Sequence, residues 1–350
     1  MRRVTRFAAA GIATAALALS ATACGASSTQ SSGSSSSGKG GSLKVGIAYD
    51  VGGRGDHSFN DSAARGLDKA TKEFGGTPKE LTAKTTDTDQ DREQYLDDLA
   101  SNGYNPVIAV GFAYANALKA EAPKFPKTTF AIVDSVVPGS NIDSMSFATP
   151  ESSYLAGVAA ALKSKTGHIG FIGGVDNALI KGFQAGFQQG VTDTKPSDKV
   201  TVQYLSTGSD LSGFSSPDKG ASAAAGMLSQ GIDVVYSAAG SSGTGSIETV
   251  AAKKGAWAIG VDSDQYQDPA LAKYKDSILT SAVKNVDVAV YDLIQSVHNG
   301  KPLTGNNTYN LANGGVSLAT SGGFIKDIQP QLDAITKKII SGQIKVKQTP

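Results

Sequence analysis

Cysteine is nearly absent from this chain of 350 residues: Cys24 is the only one, which excludes an internal disulfide and leaves a free or modified thiol. Histidine is almost as scarce. His57, His168 and His298 are scattered along the chain, and none has a second His or Cys at metal-ligand spacing, so neither a zinc centre nor any other cofactor is expected. Catalytic signatures are missing too. No G-x-S-x-G elbow occurs, and the P-loop-like stretch "GSSGTGS" at 240–246 lacks the Lys-Ser/Thr pair that would hold phosphate and magnesium. Charge is balanced: 32 Lys and Arg stand against 31 Asp and Glu, with no long basic run, which argues against a nucleic-acid footprint. Neither an enzyme nor a nucleic-acid binder is expected; the partner should be small and specific.

What is present begins with an export signal. Arg2, Arg3 and Arg6 precede the uncharged run "FAAAGIATAALAL", which ends at the small residues "SATAC". That run falls well short of the ~20 apolar residues a spanning helix needs. Cys24, directly after it, resembles the acceptor cysteine of a bacterial lipoprotein, with Ala21 where a leucine is usual. Ordinary cleavage after "ATA" is the alternative. Residues 25–42, "GASSTQSSGSSSSGKGGS", carry no apolar group that could compensate for ordering them and read as a flexible tether, with a reach of roughly 20–25 Å.

From residue 43, short β-rich runs alternate with amphipathic stretches, as in βαβ units around parallel sheets. Strands are expected in "LKVGIAYDV" (43–51), "LTAKTTD" (81–87), "PVIAVGF" (106–112) and "TTFAIVDSV" (128–136), with helices at about 58–74, 91–102 and 114–124. After a helix in the second half of "SMSFATPESSYLAGVAAALKS", the grammar restarts at "HIGFIGGVDNALIKGFQAGFQQG" (168–190). Strands "KVTVQYLST", "DVVYSAAG" and "AWAIGVDSD" follow, with helices near 217–230 and 244–254 between them. The fold class is α/β: two doubly wound, parallel-sheet lobes. The strand and helix of 277–297 are assigned to the first lobe, reached by a chain that crosses back and makes the joint a multi-strand hinge. Lobe 1 is then 43–149 plus about 279–307, and lobe 2 is 150–278 plus about 308–350.

Ligands of such sheets bind outside the carboxyl ends of the strands. Asp50, Gly111, Phe112, Asp134, Gly240, Asp262 and Lys284 all fall there. In "VDSDQ" (261–265) two carboxylates share one loop, which suits binding better than the opposed pair of glycoside cleavage. Asp262 could accept two hydrogen bonds from vicinal hydroxyls, while Asp264 reads as a turn or cap acid. The glycines of 240–245 serve either close backbone approach at a helix N-terminus or merely a tight turn. Phe59 heads the apolar stripe of its helix and could be core, yet it follows Ser58, a candidate N-cap, at the crevice mouth. Phe214 lies in the polar loop "TGSDLSGFSSPDKG" with no stripe to join. One aromatic from each lobe could clamp a flat ring, at about 1–3 kcal/mol per stacked face.

The stretches "VGIAYDVGGRGDHSFNDSAARGL", "DVVYSAAGSSGTGSIETV", "AIGVDSDQY" and "ILTSAVKNVDVAVYDLI" together resemble the basic membrane protein family of substrate-binding lipoproteins, over nearly all of residues 43–300. The resemblance implies a type I periplasmic-binding-protein fold. It also implies a nucleoside, with a purine base, held between the lobes for an ABC permease and its ATPase subunit. The protein would be lipid-anchored through Cys24 on the extracytoplasmic face of the membrane. By the same resemblance Phe59 and Phe214 would sandwich the base, Asp50, Asn60 and Asp134 would meet its edge, and Gly240, Asp262 and Lys284 would hold the ribose. His57 departs from the small or aliphatic residues common at its place in the family. Two other readings stay open: a membrane-tethered ligand sensor, and a sugar receptor of the same fold.

Overall fold

The computed structural model describes residues 43–350; the export signal with Cys24 and the tether lie outside the described residues. The chain first lays down β1 (Gly46–Tyr49), α1 (Phe59–Phe74), β2 (Lys79–Thr82), α2 (Asp89–Ser101), β3 (Val107–Ala109), α3 (Ala115–Glu121), β4 (Phe130–Val133) and β5 (Ile142–Phe147). After α4 (Thr149–Lys163) come β6 (His168–Asp176), α5 (Ala178–Thr194), β7 (Lys199–Thr207), α6 (Pro217–Ser229), β8 (Val234–Ala238), α7 (Ser242–Ala251), β9 (Trp257–Asp262) and β10 (Ile278–Lys284). The last elements are α8 (Val286–His298), β11 (Gly305–Tyr309), β12 (Val316–Leu318) and α9 (Gln329–Ile340).

The strands form two six-stranded sheets, ordered β11-β5-β4-β3-β1-β2 and β12-β10-β9-β8-β6-β7. Every pairing is parallel except β10 with β12. Both faces of each sheet are covered over its inner strands, which is why those strands read as nearly continuous apolar runs. In β3, Ile108 packs with α1 and α8 on one face, while Val107 and Ala109 pack with α2 and α3 on the other. In the second sheet Phe171 and Tyr236 face α4 and α5, and Ile172 and Val235 face α6 and α7. The period-2 alternation of a strand therefore feeds two separate cores.

Some helix pairs touch backbone to backbone. A Cβ at Gly157 of α4 would lie 2.2 Å from the Phe187 carbonyl oxygen, and one at Gly186 of α5 would lie 2.1 Å from that of Pro150. Only glycine admits this approach, so the alanine-rich α4 and α5 can lock together on one face of the second sheet.

Two strands expected from the sequence sit differently in the structure, and β5, β11, β12 and α9 were not expected at all. The strand expected at 81–87 runs from Lys79 to Thr82, because turn chemistry takes over: Asp87 accepts the Lys84 N–H (2.8 Å) and Thr88 forms a capping box with Asp91 that starts α2. The segment 278–284 was expected in the first lobe, but it pairs with β9 and β12 in the second sheet. Only α8 and β11 return to the first, so this crossing falls at Asn285. The chain passes between lobes there, at Ala148 and through 310–315. These segments bond to one another through Ala148 N–H to the Tyr309 carbonyl (2.8 Å) and Asn285 N–H to that of Gly315 (2.9 Å).

The helix contact can be tested with a pair of substitutions. Gly186→Ala should lower stability by about 1–3 kcal/mol through overpacking. Gly226→Ala in α6, where an added Cβ meets nothing within 4 Å, should raise it by about 0.5–1 kcal/mol. Urea midpoints that shift equally for the two variants would contradict the backbone contact.

Candidate functional site

The switch in strand order falls between β1 and β3 in the first sheet and between β6 and β8 in the second, so the carboxyl ends of both sheets open on one crevice. The turn after β1 supplies its first wall. Gly52, Gly53 and Gly55 take φ values of 96°, 56° and 93°, and a Cβ at Gly53 would strike Thr82 at 2.7 Å. The turn delivers Asp56 beneath the start of α1, where its carboxylate accepts the backbone N–H groups of Ser58 (2.9 Å), Asn60 (2.8 Å) and Asp61 (3.1 Å). Ser58 holds the N-cap position but makes no cap bond. Its hydroxyl instead reaches the other lobe and donates to Asp262 Oδ2 at 3.0 Å. The capping role expected of Ser58 thus belongs to Asp56.

Asn60 is committed inside the same turn. Its Oδ1 accepts the Asp50 N–H at 3.0 Å, and its Nδ2 donates to Asp56 Oδ2 (3.0 Å) and the Val51 carbonyl (3.3 Å). It lines the cavity, yet its main effect is to orient Asp50. Asp50 is 6% exposed; Oδ1 accepts the Val51 N–H at 2.8 Å, and Oδ2 takes no hydrogen bond from any described residue. Gly111 leaves room for that oxygen, since a Cβ there would lie 2.6 Å from it. Burial pushes the Asp50 carboxyl up to about 6, against the Val51 N–H and Arg92, with Asp134 and Asp56 pushing further upward.

A second polar cluster closes the cleft. Lys284, at the end of β10 and 3% exposed, places Nζ 2.6 Å from Asp134 Oδ2 and 3.5 Å from Asp262 Oδ1. Asp134 and Asp262 adopt left-handed φ of 65° and 63°, a conformation aspartate tolerates better than most residues. It turns both carboxylates off their strand ends and inward. Burial alone would lower the Lys284 pKa, but the two carboxylates outweigh it and hold the ammonium above its ordinary value. Asp134 Oδ1 and Asp262 Oδ1 remain buried without a hydrogen-bond partner. The rings of Phe59, Phe183 and Phe147 lie 4.3, 5.6 and 5.8 Å from the ammonium and complete its shell.

Between these groups lies a narrow cavity of about 50 Å³, lined by Asp50, Phe59, Asn60, Asp134, Phe214, Gly240 and Lys284 among others. Asp262 borders it through Lys284 and Ser58 rather than as a wall residue. Phe214 ends a short 3-10 turn begun at Leu211 and packs against Gly174, where a Cβ would come within 2.3 Å of the ring. Gly240 takes φ 54° and passes close under the Phe214 carbonyl. Six lining residues escaped the sequence reading as site residues: Val51, Asp56, Phe112, Leu179, Ile180 and Phe183. Phe112 at least stood at a strand end. Phe183, Leu179 and Ile180 sit at helical positions that look like core, and Phe183 does pack into the core cluster of the second lobe.

The lobes are shut around this cavity. At one end Ser263 Oγ donates to the Ser58 carbonyl (2.7 Å), Gln265 Nε2 to that of His57 (2.9 Å), and His57 Nδ1 meets Asp268 Oδ2 at 2.9 Å. Sequence spacing gave no hint that Asp61 and Asp268 would converge on His57. At the other end Val175 and Leu211 of the second lobe join the apolar cluster that holds Val51 and Val137 of the first.

Two lobes of this topology, hinged by three crossings and closed over a cavity of aromatic walls and inward carboxylates, define a solute-binding protein of the type I periplasmic-binding-protein class. The comparisons with known proteins narrow the class. The family profile described as "ABC transporter substrate-binding protein PnrA-like" matches residues 43–350. The chain is 37% identical over 323 residues to an ABC transporter nucleoside-binding protein BmpA of Lactococcus lactis subsp. cremoris, covering 87% of this chain and 89% of that protein. It is 32% identical over 317 residues to basic membrane protein A of Borreliella afzelii, covering 87% and 91%. A crystal structure of an ABC transporter solute-binding protein from Aeropyrum pernix superposes with a TM-score of 0.76 at 28% identity, over 88% of this chain and 94% of that one. The chain belongs to the basic membrane protein family of ABC transporter substrate-binding proteins. It is a binding component, not an enzyme, and works with a transporter and a solute.

The buried Asp50 makes a stability prediction. Its carboxyl rises from an ordinary 3.8 to about 6 in the fold, so the fold favours the protonated form. That contribution is complete below about 3.8 and is lost as pH rises through about 6. Asp50→Asn should therefore gain about 1–3 kcal/mol at pH 7.5 and little at pH 3.5. Urea titrations showing the same difference from wild type at both pH values would refute it.

Proposed function

We propose that the chain captures a nucleoside with a purine base in this cleft and delivers it to an ABC permease. The observation that carries the reading is the mismatch of polar atoms in a cavity with phenylalanine walls. Asp134 Oδ1 is a buried acceptor without a donor, Asp262 Oδ1 has only the Lys284 ammonium at 3.5 Å, and Asp50 Oδ2 is a third open acceptor. A matching ligand brings a flat apolar body, several hydroxyl or N–H donors and no negative charge. A nucleoside meets each condition. A nucleotide would set its phosphate among Asp50, Asp56, Asp134 and Asp262 with Lys284 as the lining cation, and like charges in a buried site repel strongly. The nucleoside-binding relative supports the same choice.

In this reading Phe59 and Phe214 stack the base, while Asp262, Asp134 and Lys284 hold the ribose with Gly240 close by. Asp134 thereby moves from the base edge to the sugar, because Lys284 binds it directly. Asn60 acts through Asp50. The protein sits on the extracytoplasmic face of the membrane, as a name such as basic membrane protein suggests, and is anchored by lipid on Cys24.

Calorimetry on the tether-free body tests the ligand. Guanosine, inosine and adenosine should bind about ten- to a hundredfold more tightly than their free bases, since a free base leaves a buried carboxylate unpaired at about 1.5–3 kcal/mol. Asp262→Ala should erase most of that gap, whereas Phe59→Ala should weaken nucleoside and base alike. Tight binding of a hexose or ribose with none of a nucleoside would favour the sugar receptor and reject the proposal.

The anchor has its own test. A clickable fatty acid should label the wild-type protein, and Cys24→Ser should remove the label and release the protein from the membrane fraction. Unlabelled, soluble wild type would contradict lipidation.

A further inference from the structure

We propose that His57, Asp61 and Asp268 form a binding site for a zinc-class divalent cation that clips the two lobes together on the outside of the cleft. None of the three lines the solute cavity. They lie instead on a separate groove of about 700 Å³ at the lobe joint. Among the described residues they are the one group of three whose ligand atoms all come within 4.8 Å of one another. The inference holds whichever solute the cavity takes.

The three atoms enclose a point of the right size for a metal. His57 Nδ1 lies 2.9 Å from Asp268 Oδ2 and 4.0 Å from Asp61 Oδ2, and the set spans no more than 4.8 Å. A triangle of these sides has a point about 2.4 Å from each corner, a few tenths of an ångström beyond zinc's bonds of ~2.0–2.2 Å to imidazole nitrogen and carboxylate oxygen. The ion pair of His57 with Asp268 does not account for Asp61, whose Oδ2 stands beyond hydrogen-bond reach of the ring nitrogen. Histidine and cysteine spacing concealed the cluster, because the partners of His57 are carboxylates, one of them 211 residues away.

Backbone groups fix the ligands from behind. Asp61 Oδ1 accepts the Gly55 N–H (2.8 Å) and its Oδ2 that of His57 (3.0 Å), while Asp268 Oδ1 accepts the Ala270 N–H (2.8 Å). Outer hydrogen bonds of this kind orient metal ligands. The field suits a dication. Five carboxylates and two guanidiniums line the groove, and Arg54 is engaged by Asp68 and Glu80, Arg65 by Ser263. Neither cation pairs with Asp61 or Asp268. One imidazole favours zinc over magnesium or calcium, which take shells of oxygen. Zinc uses the Nδ1 lone pair, so the ring keeps its proton on Nε2, and water from the groove completes the coordination.

His57 and Asp61 belong to the first lobe and Asp268 to the second, so the three meet only when the lobes are shut. An ion that binds the shut form alone raises the ratio of shut to open about a hundredfold at 100 times its dissociation constant. A solute that shuts the lobes tightens zinc in turn.

Titration calorimetry of zinc chloride into the full chain carrying Cys24→Ser, which removes the one thiol, tests the site. One ion should bind per chain, and excess magnesium should not displace it. His57→Gln and Asp268→Asn, one from each lobe, should each weaken binding at least about tenfold. His168→Gln, at an exposed histidine outside the groove, should bind as the wild type does. X-ray absorption at the zinc edge should show one imidazole among oxygen ligands. Equal affinity in wild type and His57→Gln means an adventitious ion only, and full affinity in Asp268→Asn places the ion on one lobe; either overturns the clip. Absence of zinc binding overturns it too, as does an edge spectrum without imidazole, which requires no variant to fold. None of these results bears on the solute, so the clip and the nucleoside reading stand or fall separately.

Discussion

One ammonium shared between two lobes sets most of what this cleft can do. Lys284 reaches from the end of β10 to Asp134 of the first sheet at 2.6 Å and toward Asp262 of its own sheet at 3.5 Å. A buried charge is tolerated only when paired, so the lysine binds the closed arrangement together. It cannot, however, neutralise two carboxylates. The excess acceptor capacity on Asp134 Oδ1 and Asp262 Oδ1 stays unanswered by protein. A donor-rich neutral ligand supplies what is missing, and a second anion would worsen the imbalance.

The turn after β1 solves a different problem with similar residues. Asp56 and Asn60 are as buried as Asp50, but they are consumed by the N-terminus of α1 and by the backbone of the turn. A helix start leaves free N–H groups that need acceptors, and Asp56 provides them. That frees Ser58 to bond Asp262 across the cleft and leaves Asp50 with one unoccupied oxygen. Scaffold and cavity-facing carboxyl are thus adjacent in sequence yet separate in role, divided by which atoms the helix end claims first.

Much of the architecture was legible from residue 43 onward because a strand buried on both faces writes itself as an apolar run, and glycine and aspartate mark where it stops. The ends of β1, β4, β9 and β10 were visible in Asp50, Asp134, Asp262 and Lys284 for this reason. Sheet membership was not. β10 is buried along its whole length, and an apolar run carries no record of which partner strands cover it, so the strand was assigned one lobe too early. The functions of Asn60 and Ser58 were equally hidden, since their partners, Asp56 and Asp262, are fixed by the path of a glycine turn and by lobe closure. Phe183 looked like core, and is, but one face of the ring also meets the cavity.

The ties that hold the cleft shut have consequences for how it works. His57, Ser58, Ser263 and Gln265 link the lobes on one side with hydrogen bonds near 3 Å, and Val175 with Leu211 seals the other with apolar contact. Such contacts favour closure even before a solute arrives, whereas the unpaired oxygens of Asp134 and Asp262 oppose it by losing water without gaining a donor. The two tendencies act on the same equilibrium with opposite sign. A ligand shifts that equilibrium only by the interactions it makes better in the closed form than in the open one, and the under-satisfied oxygens of these two carboxylates are where that difference is concentrated. A solute without donors could fill the apolar part of the cavity and still leave the penalty in place, so selectivity and closure are enforced by the same atoms.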